Sequence, residues 1–212
     1  MKKIIQLLLA IAIVALCYVI YLQISTPISF EKETAQKKAL VIERIKDIRL
    51  AERAYKMKYQ RFTADFDSLI NFVLNESLEL ERKIVDEDDS AGLAQLKKLG
   101  RKNVEKFTIA VIDTIFAPKH LTPEQVQELR YVPGTDNERE FSLKAAQLTT
   151  GSGVVVPVVE CSVRYEHFLD TVKYRQEIIN YVDNEMNNFN RFPGVKFGDI
   201  QAANNEAGNW ED

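Results

Sequence analysis

Residues 4–22 form an almost wholly apolar run, in which the only polar side chains are Gln6, Cys17 and the hydroxyls of Tyr18 and Tyr21. At 1.5 Å of rise per residue, such a run makes a helix about 28 Å long, close to the hydrocarbon thickness of a bilayer. Lys2 and Lys3 precede it, and no charge follows until Glu31. A signal-peptide core is shorter, about 7 to 15 residues, and ends in a small-x-small cleavage site. Here Tyr18, Val19, Ile20, Tyr21 and Leu22 extend the run with no such site after them. Lipid attachment at Cys17 would need a small residue before it, and Leu16 stands there. Cys17 therefore reads as a small hydrophobe in a permanent membrane helix. The pattern predicts a transmembrane helix over residues 4–24, with Ile4, Leu8, Ile11, Val14, Tyr18 and Tyr21 as anchor residues. The positive charge of Lys2, Lys3 and the terminal amine makes residues 1–3 a cytoplasmic stub, and the two tyrosines suit the outer interface. The expected location is the inner membrane, single-pass, with the C-terminal part periplasmic.

Beyond a break expected at Thr26-Pro27, residues 25–62 read as a long membrane-proximal helix. Val41, Ile45, Ile48, Glu52, Tyr55 and Tyr59 recur at alternating spacings of four and three, with Ala51 and Ala54 beside them. That places five of the six on one helical stripe. Thr63 is the expected N-cap of a following short helix, with Asp65 and Asp67 in its first turn and Phe66, Leu69, Ile70 and Val73 on its apolar face. Residues 107–116, FTIAVIDTIF, are β-branched and aromatic and predict a strand. Leu121-Thr122-Pro123-Glu124-Gln125 carries a cap, a proline at the first helical position and a glutamine at the third, the pattern of a capping box. Residues 141–148 and 154–165 read as a hairpin about Gly151-Ser152-Gly153, and Pro157 calls for an edge position or bulge. Residues 168–189 return to a helical pattern, with Val172, Ile178, Ile179, Val182 and Met186, and residues 195–200 read as a short strand. The fold class is α+β: an N-terminal transmembrane helix continues into a long amphipathic helix packed on an antiparallel sheet, with a C-terminal helix. Residues 63–212 form the periplasmic body.

Composition changes this picture little. The 212 residues are 46% hydrophobic and carry a net charge of −3, which suits a folded body and gives no basic excess for nucleic acid. Charge is nevertheless uneven. Residues 31–62 hold ten Lys or Arg against five Asp or Glu, whereas residues 63–100 hold four against nine. The basic stretch is either attracted to anionic lipid or an acidic partner, or is the solvated face of an amphipathic helix. The acidic run Asp86 to Asp89 lacks the alternation and the turning glycine of a calcium loop and reads as solvated.

Candidate chemistry is sparse. Cys161 alternates with charged neighbours and reads as a buried strand residue. With Cys17 in the span, the body has no partner for a disulfide, and His120 and His167 do not make a zinc site. There is no HExxH or GxSxG, and the first glycine is Gly92, so no glycine-rich phosphate loop precedes it. No cofactor, metal or enzymatic activity is expected. Trp210 either pins the tail onto the body or meets a partner. Arg49, Arg53, Tyr55 and Trp210 are the candidate partner contacts.

The run ERIKDIRLAERAYKMKYQRFTADFDSLINFV, following a membrane helix and preceding a β-rich body, resembles the pilin and pseudopilin layout. The likeness is strongest over residues 1–75, where AERAYKMKYQRFT and FDSL are similar to the stretch that follows a pilin's long helix. Pilins are processed after a leader glycine and carry a glutamate near the start of the mature helix. Here no glycine precedes the span and Gln6 is the nearest polar residue, so processing and filament assembly are not carried over. The whole chain, including FPGVKFGDIQAANNEAGNWED, also looks like a family of single-span Gram-negative envelope proteins, which implies a location and no activity. The expected function is that of a membrane-anchored, non-catalytic subunit of a secretion, pilus-like or energy-transducing assembly. Its partners would be membrane lipid and other envelope proteins, with an oligomer through the membrane helix. A pseudopilin-like filament subunit and a membrane-tethered ligand-binding domain or enzyme are the alternatives.

Overall fold

In the computed structural model, residues 2–86, 88–151 and 153–211 are described. Met1 of the expected stub, Glu87 of the acidic run, Ser152 of the expected hairpin turn and Asp212 lie outside the described residues.

Helix α1, Lys2–Tyr59, runs for 58 residues without interruption. The break expected at Thr26-Pro27 is absent, and Pro27 lies inside the helix. A proline removes one backbone hydrogen bond, here the one to the Gln23 carbonyl, and the turns on either side keep theirs. The helix stops at Gln60, whose φ of 56° is left-handed and whose N–H donates to the Lys56 carbonyl at 2.8 Å. Its stripe is buried at Val41, Ile45, Ile48, Ala51, Ala54 and Tyr55, whereas Tyr59 in the last turn is 41% exposed.

Helix α2, Phe66–Asn75, packs back on α1 through Phe66, Leu69, Phe72 and Val73. Its N-cap is Asp65 rather than Thr63. The Asp65 carboxylate accepts from the N–H groups of Asp67 at 3.3 Å and Ser68 at 2.8 Å. Thr63 instead accepts from the Asp65 N–H at 3.1 Å. A carboxylate makes the stronger, charge-assisted cap, and the hydroxyl is left to shape the approach.

Strands β1, Ser77–Arg82, and β2, Glu105–Ala110, form a two-stranded antiparallel sheet, with helix α3, Ser90–Lys98, between them in sequence. The strand expected over residues 107–116 is only half right, because Val111–Ile115 form helix α4. Val111, which opens the helix, and Phe116, which caps its end, are both fully buried in the core. Helix α5, Pro123–Gln127, has the predicted capping box: Gln125 N–H donates to Thr122 Oγ1 at 3.3 Å, and Thr122 N–H donates to Gln125 Oε1 at 2.9 Å.

The second sheet is antiparallel, in the order β3 (Ser142–Thr149), β4 (Val155–Arg164), β5 (Gly194–Gly198). Strand β5 pairs with β4 only from Glu160 to Arg164, so Pro157, opposite Gln147, lies where β4 has β3 alone as neighbour. That is the edge position a proline needs. Gly198, at φ +71°, ends β5 where a Cβ would collide with the Val159 carbonyl. The helix expected over 168–189 begins later, as α6, Arg175–Asp183, and closes in a π-helical turn, Asn184–Asn188. Val172 is outside it and 92% exposed. The protein is α+β, with α1 packed against Val159, Cys161, Val163, Val195 and Phe197 of the sheet in one core.

Candidate membrane anchor and partner surfaces

The N-terminal part of α1 projects from the body with nothing covering it. Ile4, Leu8, Ile11, Val14, Tyr18 and Tyr21 are each between 58 and 69% exposed. An 18-residue window here has a mean hydropathy of 2.7, and none of it is buried. By length and composition this helix can cross a membrane. Contact with the body starts at the half-buried Ser25 and Thr26 and becomes burial at Phe30. The ring of Phe30 packs against Tyr174 at 5.3 Å and Tyr181 at 6.1 Å between centroids.

The basic excess of α1 meets acids of the same chain. Arg49 donates to the Glu211 carboxylate at 2.8 Å and to the Glu206 carbonyl at 3.1 Å, and its guanidinium lies over Trp210. Arg53 and Lys56 hold the Glu206 carboxylate at 3.0 and 3.4 Å. Asn205 and Glu206 are both left-handed, at φ 54°. Two consecutive non-glycine residues in that region are strained, and the three cations of α1 hold the tail there. Of the four candidate partner contacts, the structure thus brings Arg49, Arg53 and Trp210 together under the tail. Tyr55 is buried against Tyr59 and Phe72.

Glu52 holds the polar place on the apolar stripe and is fully buried. Its Oε2 accepts from the Thr63 N–H at 3.1 Å, tying the chain beyond α1 back to the helix, while Oε1 has no partner. Burial pushes its pKa up to about 8, against the pull of the Thr63 N–H. The carboxyl is therefore mostly neutral at pH 7. Its signal was present in the sequence: a carboxylate standing where the spacing asks for an apolar side chain. Cys161 is buried on β4, as expected. Burial pushes its thiol well up, and the Glu52 and Glu160 charges add to that, which disfavours a nucleophilic thiolate.

A third polar cluster ties α1 to the loop after α4. The Lys119 ammonium donates to both oxygens of the buried Asp47, at 2.7 and 2.9 Å, and stands 3.3 Å from Glu43. Burial raises the Asp47 carboxyl more than Lys119 lowers it. Arg44, beside them, donates to the Glu128 carbonyl. These groups edge a cavity of about 200 Å³ with Leu40, Leu121 and Gln125. Acid and base are spent on each other, which suits a tie between elements better than proton transfer.

Among the described residues, no group of three or more His, Cys, Asp or Glu is placed to hold a metal ion. No family model matches the chain, and no characterised protein or solved structure does.

Proposed function

We propose that the chain is a single-pass inner-membrane protein, N-terminus in the cytoplasm, whose periplasmic body is a non-catalytic subunit of a cell-envelope assembly. That machine is one for secretion, pilus-like assembly or energy transduction, and the body makes protein–protein contacts within it. The observation that carries this reading is the uncovered apolar half of α1 running unbroken into the core. An apolar helix of this length is unfavourable in water, and its continuity makes the body an extension of the span. Three cations of α1, Arg49, Arg53 and Lys56, are engaged by the chain's own tail, and the uncovered anchor is the larger feature that asks for an outside partner.

Crosslinking in intact membranes followed by recovery of the full-length protein tests this. Envelope-assembly subunits should be captured by the full chain and lost when residues 1–26 are removed. A full-length protein that fractionates as soluble would overturn the reading.

The pseudopilin-like reading draws on one specific observation: the same helix forms both the apolar projection and the central element of the core. The intact mass of the protein from membranes separates the two. Loss of an N-terminal leader would favour the filament subunit, and an intact Met1 or Lys2 would sink it.

A further inference from the structure

We infer that the π-helical turn after α6 is a second membrane contact, in which Met186 and Phe189 enter the headgroup layer beside the span. This rests on the anchor reading. The apolar run of α1 ends at Leu22, and Pro27 stands five residues on, about 7.5 Å further along the helix axis. The headgroup region adds about 5–8 Å to each side of the hydrocarbon core, so Pro27 lies at headgroup depth, and any tilt of α1 brings it deeper.

The body reaches down to that level. Asn184, Asn187 and Asn188 of the turn, with Asn180 and Tyr181 of α6, line one open cavity of about 670 Å³ with Pro27 and Phe30 of α1. The same turn carries Met186, 46% exposed, and is followed by Phe189, 56% exposed with Arg191 over its ring at 5.7 Å. Scattered exposed apolar residues elsewhere on the body need no explanation. These two differ in belonging to the segment whose Asn184, Asn187 and Asn188 line a cavity with Pro27, and whose amides can bond phosphate and carbonyl oxygens of lipid. Glu177 and Asp183 line the same cavity, so this is no basic patch. The contact is apolar and amide-based and should form on zwitterionic phosphatidylcholine as well as on anionic phosphatidylglycerol.

The test uses full-length protein reconstituted in phosphatidylcholine with brominated acyl chains, which quench nearby tryptophan. Trp210, the single native tryptophan, sits beside Arg49, 22 residues beyond Pro27 and about 33 Å up α1, and serves as an unquenched reference. Three variants are compared with the parent: Phe189→Trp, Met186→Trp in case the first perturbs the turn, and Val14→Trp within the span. The expected result is loss of the added emission in all three. Quenching of Val14→Trp without quenching at either turn position overturns the contact and leaves the anchor standing. Turn tryptophans that escape bromine yet are shielded from aqueous acrylamide would show a protein covering the turn, which also overturns it. No quenching at Val14→Trp removes the anchor and the contact together.

Discussion

The guanidinium of Arg49 stands 5.6 Å from the ring of Trp210, so a residue near the C-terminal end of the 58-residue helix grips one near the end of the chain. The same side chain bonds Glu206 and Glu211 on either side of that ring. Arg49→Ala should release the tail, at a cost of about 1–2 kcal/mol for a half-buried cation–π contact and a partly exposed ion pair. Trp210 emission should shift to the red, and amide exchange should accelerate over residues 203–211 before global unfolding. Arg49→Lys should recover only part of the loss, since a compact ammonium lacks the planar guanidinium that lies over the Trp210 ring. Unchanged exchange in the tail would show that Glu206 alone holds it.

Glu52 gives the protein a pH dependence opposite to that of an ordinary surface carboxylate. Its folded pKa of about 8 lies above the ordinary value of 4.5, so folded molecules bind more protons than unfolded ones between those limits. Stability from this group is present in full below roughly pH 4.5 and is lost as pH rises through about 8, up to about 5 kcal/mol over the window. Glu52→Gln should flatten that part of the stability curve and exceed the parent above pH 8. Parallel melting curves for the two proteins from pH 5 to 9 would contradict it.

Lys119→Met leaves Asp47 buried beside Glu43 without its counter-charge. The loss should be about 1–3 kcal/mol, less than for a fully buried pair because the lysine side chain is 36% exposed. Adding Asp47→Asn to Lys119→Met should return most of it, as measured by denaturant titration of both variants. A double variant no more stable than the single would mean that the lysine acts through packing.

Phe30 is the first side chain of α1 to enter the core, wedged against Tyr174 and Tyr181. Phe30→Ala should cost about 3 kcal/mol. It should also loosen α6 selectively, with faster amide exchange over residues 175–188 and little change in the β3–β4 pairing. Uniform destabilisation would show that α6 does not depend on this ring.

Local chemistry was legible in the sequence, and competition between local and tertiary demands was not. The capping box at Thr122 and Gln125 is made by neighbouring residues, and it forms as written. The apolar run of residues 4–22 needs only its own length. At the start of α2 the carboxylate of Asp65, expected in the first turn, took the cap expected of Thr63. At Val111 a strand-forming composition was overruled: the chain turns helical over Val111–Ile115, with Val111 buried at its start and Phe116 at its end. The two short elements Ser77–Arg82 and Ser90–Lys98 went unrecognised because their stability comes from pairing with β2 and from the Asp89 cap, whose carboxylate accepts from the Gly92 N–H at 3.0 Å. The clamp on Glu206 joins residues 150 or more positions apart, and only the fold could show it. Glu52 was in view on the stripe from the start, and its burial gave it meaning.

On the proposed reading, the passage of α1 through Pro27 without a break sets a rotational register between the bilayer and the body. A body on a flexible tether would be indifferent to the length of its linker. Here each residue inserted between Leu22 and Phe30 turns the body by about 100° about the helix axis and lifts it by about 1.5 Å. One added residue should therefore face the body away from the partners proposed for it, whereas seven, close to two full turns, should restore its facing and raise it by about 10 Å. Partner capture that fails with one residue and returns with seven would mark a protein whose azimuth, more than its reach, is what its assembly recognises.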